Sequence, residues 1–181
     1  MGMCDDMESI LLTEEQIKAR IRQLGAELTA EYADKNPIFV GVLKGCFVFM
    51  ADLIRSVDAR CTMDFMAVSS YGNGTTTTGA VKINKDLSED IAGRHVVIVE
   101  DILDSGVTLS YLTKYLSGRL PASIRLVTLL DKPSRREKAI TPDLYGFVVP
   151  DEFVVGFGLD YCQQYRNMPY IGVLKPEVYS K

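Results

Sequence analysis

The sequence predicts an α/β fold: a central, mainly parallel twisted sheet flanked by helices, with a small C-terminal hood lobe. Three observations carry this. Val96-Val97-Ile98-Val99 is a β-branched run without polar alternation, as in a parallel strand buried on both faces. Apolar runs pass directly into helical patterns, once after residues 38–43 and once after residues 96–99. From Tyr145 onward the pattern changes to short apolar strands separated by turns, YGFVV, FVVGFGL and YIGVLK, which read as a small lobe.

In chain order, Thr13-Glu14-Glu15-Gln16 forms a capping box that opens a helix with Ile17, Ile21, Leu24 and Leu28 on one face. Pro37 releases a buried strand over residues 38–43, and Lys44-Gly45 turns it into an amphipathic helix over residues 46–54. Cys61, Met63, Phe65 and Ala67 then alternate with polar residues as a strand should. Residues 69–79, SSYGNGTTTTG, offer no core residue. They read as a hairpin tip or a mobile lid, and the strands expected on either side favour an arm held over a site. After the central strand and its helix, residues 124–130 form a further buried strand that ends at Asp131-Lys132-Pro133.

The candidate site lies at the C-terminal end of the central strand, the edge where open α/β sheets bind ligands. Glu100 and Asp101 can accept from sugar hydroxyls or hold hydrated magnesium, and Asp104 remains for chemistry. Ser105-Gly106-Val107-Thr108 suits a phosphate, because Gly106 permits a tight turn and successive N–H groups can form a nest at a helix start. There is no Gly-Lys-Ser/Thr, which argues against a Walker-type loop. His95 stands at the opposite end of the strand and is not expected to act.

A net charge of −4 and a pI near 5.1 argue against a nucleic-acid surface, so an anionic substrate must be met locally. Cys4, Cys46, Cys61 and Cys162 show no paired metal-ligand spacing and read as reduced structural thiols. The N-terminal MGMCDDMESI lacks a basic region and an apolar signal core, and no apolar run is long enough to span a bilayer. A cytoplasmic protein without a membrane partner is expected.

Four apolar residues, two acids, a spacer and Asp-Ser-Gly-x-Thr before a helix resemble the phosphoribosyl pyrophosphate motif of the type I phosphoribosyltransferases. Four further segments are similar to the branch that acts on hypoxanthine and guanine: GVLKG at residues 41–45, SSYGNGTTTTG, LLDKPSRR at residues 129–136 and PDEFVVGFGLDYCQQYRN at residues 150–167. The chain departs from some relatives at Val107 and Glu152, where they carry Lys.

The resemblance implies one domain over residues 1–181, its hood formed by the N-terminal segment and about residues 145–181. It implies transfer of a phosphoribosyl group to hypoxanthine or guanine, with magnesium as cofactor and a homodimer or homotetramer as assembly. Asp104 would be the general base for the purine N7 proton, while Glu100, Asp101, Asp104 and Ser105 to Thr108 would bind ribose and 5′-phosphate. Lys132 would donate to the purine O6 and Phe153 would stack on the base. The Val154 backbone and Asp160 would meet the base's other edge. Glu100, Asp101 and Asp160 would serve magnesium, and Lys44, Gly45 and Arg166 would hold pyrophosphate. A cis peptide would join Leu43 to Lys44, and Ser70 and Tyr71 would belong to the lid. The alternatives are a xanthine-preferring relative and a nucleotide-sensing regulator on the same fold. The regulator predicts a basic surface or an added winged-helix segment, and neither is visible in the sequence.

Overall fold

The computed structural model describes residues 2–70 and 81–180. Strand β1 (Met7–Leu12) precedes helix α1 (Glu14–Tyr32), whose Thr13 cap accepts from the Gln16 N–H while the Gln16 side chain accepts from the Thr13 N–H. Then come β2 (Ile38–Leu43), α2 (Phe47–Ile54), β3 (Thr62–Ser70), β4 (Val81–Lys85), β5 (His95–Leu103), α3 (Val107–Ser117), β6 (Ser123–Asp131) and β7 (Leu144–Val148). The last elements are β8 (Val154–Val155), β9 (Ile171–Leu174) and the short α4 (Pro176–Tyr179).

Six strands form the main sheet in the order β4-β3-β2-β5-β6-β7, all parallel except β4. The expected fold is therefore present, with β5 near its centre. Alternation along β5 sorts its residues between two layers. Val97 and Val99 pack with Ile17, Ile21, Leu24 and Leu28 of α1 and with Phe49 and Leu53 of α2. Val96 and Ile98 pack on the other face with Leu109, Leu112 and Leu116 of α3.

A second, antiparallel sheet of order β1-β9-β8 forms the hood, so both ends of the chain build it. The hood begins later than the sequence pattern indicates. β7 pairs in parallel with β6 and belongs to the main sheet, because Val127 and Leu130 offer it a free strand edge before the chain turns at Pro150.

The strand expected around residues 61–67 is β3, with Cys61 and Phe65 packed against the core; Met63 is 51% exposed, while Asp64 and Met66 on the other face are buried. The turn after β4 folds across the Asp64 side, and the Ser88 and Glu89 N–H groups donate to its carboxylate at 2.6 and 3.2 Å. All four cysteines are free, but Cys4 and Cys162 are exposed rather than set in apolar interior. Among the described residues no helix is long and apolar enough to cross a membrane. The Ser70 backbone closes β3, while Tyr71 and the rest of the expected lid lie outside the described residues.

Candidate active site

The site begins where β5 runs out. Its ladder continues past Glu100 and Asp101 as far as Leu103, so both acids are strand residues and their side chains leave opposite faces. Glu100 lines a small cavity of about 100 Å³ together with Asp104, Ser105, Gly106 and Thr108. Asp101 faces the β2–α2 turn, where a Cβ at Gly45 would overlap its carboxylate. Glycine at position 45 thus leaves room for the Asp101 carboxylate against the turn.

Gly106 takes φ +80° as it caps α3, a left-handed conformation that glycine adopts without strain. A Cβ there would stand 2.7 Å from Ile140 Cγ2. The segment after β6 is tied beneath this loop: the Glu137 and Lys138 N–H groups donate to the Ser105 carbonyl at 2.8 and 3.1 Å. The N-terminal end of α3 therefore opens into the small cavity on a braced loop, as a phosphate cradle requires.

A larger cleft of about 370 Å³ adjoins it, within the usual range of small-molecule sites. Its walls include Ile102, Asp104, Lys132, Phe153, Val154 and Tyr179. Lys132 is almost wholly buried and donates to the Glu152 carbonyl at 2.7 Å, with Asp151 Oδ1 4.0 Å away. Phe153 stands at the mouth, stacked on Tyr179 at 4.7 Å and met edge-on by Tyr161 at 5.6 Å. Asp104 lines both cavities. Its Oδ1 lies 3.4 Å from Arg135 Nε but has no hydrogen-bond partner among the described residues.

On the other side of β5, the peptide between Leu43 and Lys44 is cis, as the resemblance implied. Lys44 Nζ donates to Gln163 Oε1 at 3.2 Å, and Arg166 donates to the Gly158 carbonyl at 2.7 Å. A Cβ at Gly158 would overlap the Gly45 carbonyl, so the hood loop and the β2–α2 turn lie backbone against backbone. Lys44, Gly45 and Arg166 thereby come into one neighbourhood with Asp101.

Asp160 departs from its expected place. It does not line the cleft with Lys132 and Phe153, because Arg166 pairs with its Oδ1 at 2.6 Å and the Gln163 N–H donates to its Oδ2 at 2.8 Å. The structure groups it with the Lys44 and Arg166 side of the site. Nor do Glu100, Asp101 and Asp160 gather into one cluster: no group of three or more metal-ligating side chains occurs among the described residues.

Electrostatically the two strand acids carry the cost of their position. Burial, reinforced by neighbouring Asp101, pushes the Glu100 carboxyl well above its ordinary value, and its sealed Oε2 has no hydrogen-bond partner among the described residues. Burial pushes Asp101 up to about 6 against the opposing effects of the Ile102 N–H and Arg166. Glu100 Oε2, a hard oxygen without a partner among the described residues, and the buried Asp101 carboxylate on the opposite face are each the kind of donor that suits a divalent cation keeping most of its water.

Three contributors were not singled out from sequence. Arg135 and Arg136 sit inside the LLDKPSRR segment but carried no individual role, and Tyr179 gave no signal because α4 is only four residues long.

A mainly parallel sheet with two cavities at its carboxyl edge, one of them at the N-terminal end of α3, is the arrangement in which open α/β folds bind nucleotides and related ligands. Residues 8–162 match the phosphoribosyl transferase domain, and the chain belongs to that family. Within it, the chain is 57% identical to the hypoxanthine-guanine phosphoribosyltransferase of Bacillus subtilis, covering 98% of this chain and 99% of that protein. It is also 57% identical to the bifunctional protein TilS/HprT of Listeria innocua, covering 99% of this chain but spanning only 28% of that longer relative. A crystal structure of a hypoxanthine phosphoribosyltransferase from Staphylococcus aureus superposes with a TM-score of 0.96 at 51% identity, covering 99% of this chain and 97% of that one.

Proposed function

We propose that this chain transfers the 5-phosphoribosyl group from phosphoribosyl pyrophosphate to hypoxanthine and guanine, giving IMP or GMP and pyrophosphate. The observation that carries the reading is the place of Asp104 in the wall of both cavities, between a phosphate cradle and a cleft that presents an ammonium and an aromatic ring.

In this reading the Ser105–Thr108 loop holds the 5′-phosphate and Glu100 accepts from the ribose hydroxyls. The base lies against Phe153, Lys132 donates to its O6 and the Val154 backbone meets its far edge. As the bond from C1′ to the pyrophosphate oxygen breaks and a bond from C1′ to the purine forms, the sugar becomes oxocarbenium-like, and the Asp104 carboxylate takes the N7 proton. Lys44, the Gly45 backbone and Arg166 hold the departing pyrophosphate. Magnesium, when bound, neutralises charge on that leaving group; Asp101 and Asp160, beside Arg166, would hold it there, and Glu100, on the opposite face of β5, would serve a separate ion. A cytoplasmic homodimer or homotetramer belongs to the same reading.

The test is incubation with labelled phosphoribosyl pyrophosphate, magnesium and a panel of hypoxanthine, guanine, xanthine and adenine. IMP and GMP are the expected products. A dominant xanthine nucleotide would overturn the substrate assignment, and binding without turnover of any base would favour a nucleotide sensor.

A further inference from the structure

We propose that Arg136 is a positioning residue for Asp104, acting on the backbone that carries this carboxylate without touching substrate; the inference rests on the reading of Asp104 as the base. Nη1 of Arg136 donates to the carbonyls of Leu103 and Asp104 at 2.8 and 2.5 Å, while Nη2 pairs with Asp131. The two charged side chains are only 14% and 12% exposed. One buried guanidinium thus ties the end of β5 to the end of β6. Arg136 lines neither the base cleft nor the phosphate cavity.

The geometry separates Asp104 from the phosphate loop that follows it. The Ser105 carbonyl is held by two backbone N–H groups, those of Glu137 and Lys138, which do not depend on the Arg136 side chain. The Leu103 carbonyl also receives the Lys132 N–H at 3.0 Å. The Asp104 carbonyl has Arg136 as its donor. Loss of the guanidinium therefore frees the peptide plane of Asp104 first and leaves the loop in place. Lysine is a poor replacement, because three oxygens lie around a planar fork and an ammonium offers its donors from a single point.

The experiment is a double-mutant cycle with Asp104→Asn and Arg136→Lys, read as kcat and as KM for phosphoribosyl pyrophosphate in the full chain with magnesium. Arg136→Lys keeps a cation beside Asp131 and should lower kcat roughly 10- to 100-fold with an unchanged KM for phosphoribosyl pyrophosphate, the scale of a displaced catalytic group. In the Asp104→Asn background it should cost nothing further, since residues that act as a unit are not additive. An equal loss in both backgrounds, or a loss carried by KM for phosphoribosyl pyrophosphate, would overturn the proposal. Near-normal turnover of Asp104→Asn alone would instead overturn the reading of Asp104, a result visible without the second substitution. Arg136→Met combined with Asp131→Asn removes both charges together. Its melting temperature should stay near the parent's while its turnover repeats the loss, and turnover at the parent's level would again overturn the proposal.

Discussion

At the scale of single residues the proposed chemistry rests on Asp104 and Lys132, and each makes a separate prediction. Asp104→Asn preserves the shape of the site but removes the proton acceptor. Turnover should fall roughly 10²- to 10⁴-fold while binding of phosphoribosyl pyrophosphate, measured by calorimetry, stays near the parent's. Among the described residues Lys132 makes one hydrogen bond, to the Glu152 carbonyl, with Asp151 4.0 Å away, so two of its three protons remain for a ligand. Hypoxanthine and guanine present an acceptor at position six and adenine presents a donor. Lys132→Ala should therefore lower kcat/KM for the first two by tens- to thousands-fold, on the order of 2–5 kcal/mol, and change adenine use little. An equal loss for all three bases would assign Lys132 to phosphate or to structure. Both residues were legible because they follow apolar strands at the sheet's carboxyl edge. That Asp160 and Arg166 would come near one another was legible only on the condition that the C-terminal segment folds back on itself; the ion pair meets that condition, which their spacing alone did not establish.

At the scale of elements, β5 and its loop to α3 were readable from sequence because an unbroken β-branched run, a glycine at the turn and a leucine stripe all agree. β3 was harder: alternation defines two faces without saying which one is covered. Asp64 shows what decided it. Burial alone would raise its carboxyl, but hydrogen bonds from the Phe65 and Ser88 N–H groups, from Lys85 and from the Glu89 N–H outweigh that and hold it below its ordinary 3.8. A carboxyl more acidic in the native than in the unfolded protein stabilises the fold above the unfolded value, and that contribution is lost as the pH falls through the native one. Asp64→Asn should thus cost about 1–3 kcal/mol near pH 7, and the gap to the parent should close below about pH 4. Urea denaturation of both proteins across that range measures it. A gap independent of pH would mean that shape rather than charge matters at this position.

At the scale of the whole molecule, the hood was legible through the family resemblance and not from local pattern, because its sheet joins Met7–Leu12 to Ile171–Leu174 across nearly the full chain and neither strand reveals its partner locally. The structure also bears on whether hood and sheet behave as one domain. One apolar cluster runs without interruption from Val154, Phe157, Leu159, Ile171 and Val173 through α1 and α2 to Val97, Val99, Val127 and Leu129. Where two layers share a core, loss of one exposes the other, so thermal unfolding should be a single transition with equal calorimetric and van't Hoff enthalpies. Ile171 is the place to test this, being fully buried and paired with Leu12 at the hood's join to the N-terminal strand. Ile171→Ala should cost about 2–5 kcal/mol, which for a chain of this size lowers Tm by roughly 5–15 °C as one shifted transition. Hydrogen exchange should show β9 and the centre of β5 losing protection together, since both then report the same global opening. Two separated transitions, with β9 exchanging early and β5 unchanged, would mean that the hood is a unit of its own and that its residues reach the base cleft by docking onto the sheet rather than by folding with it.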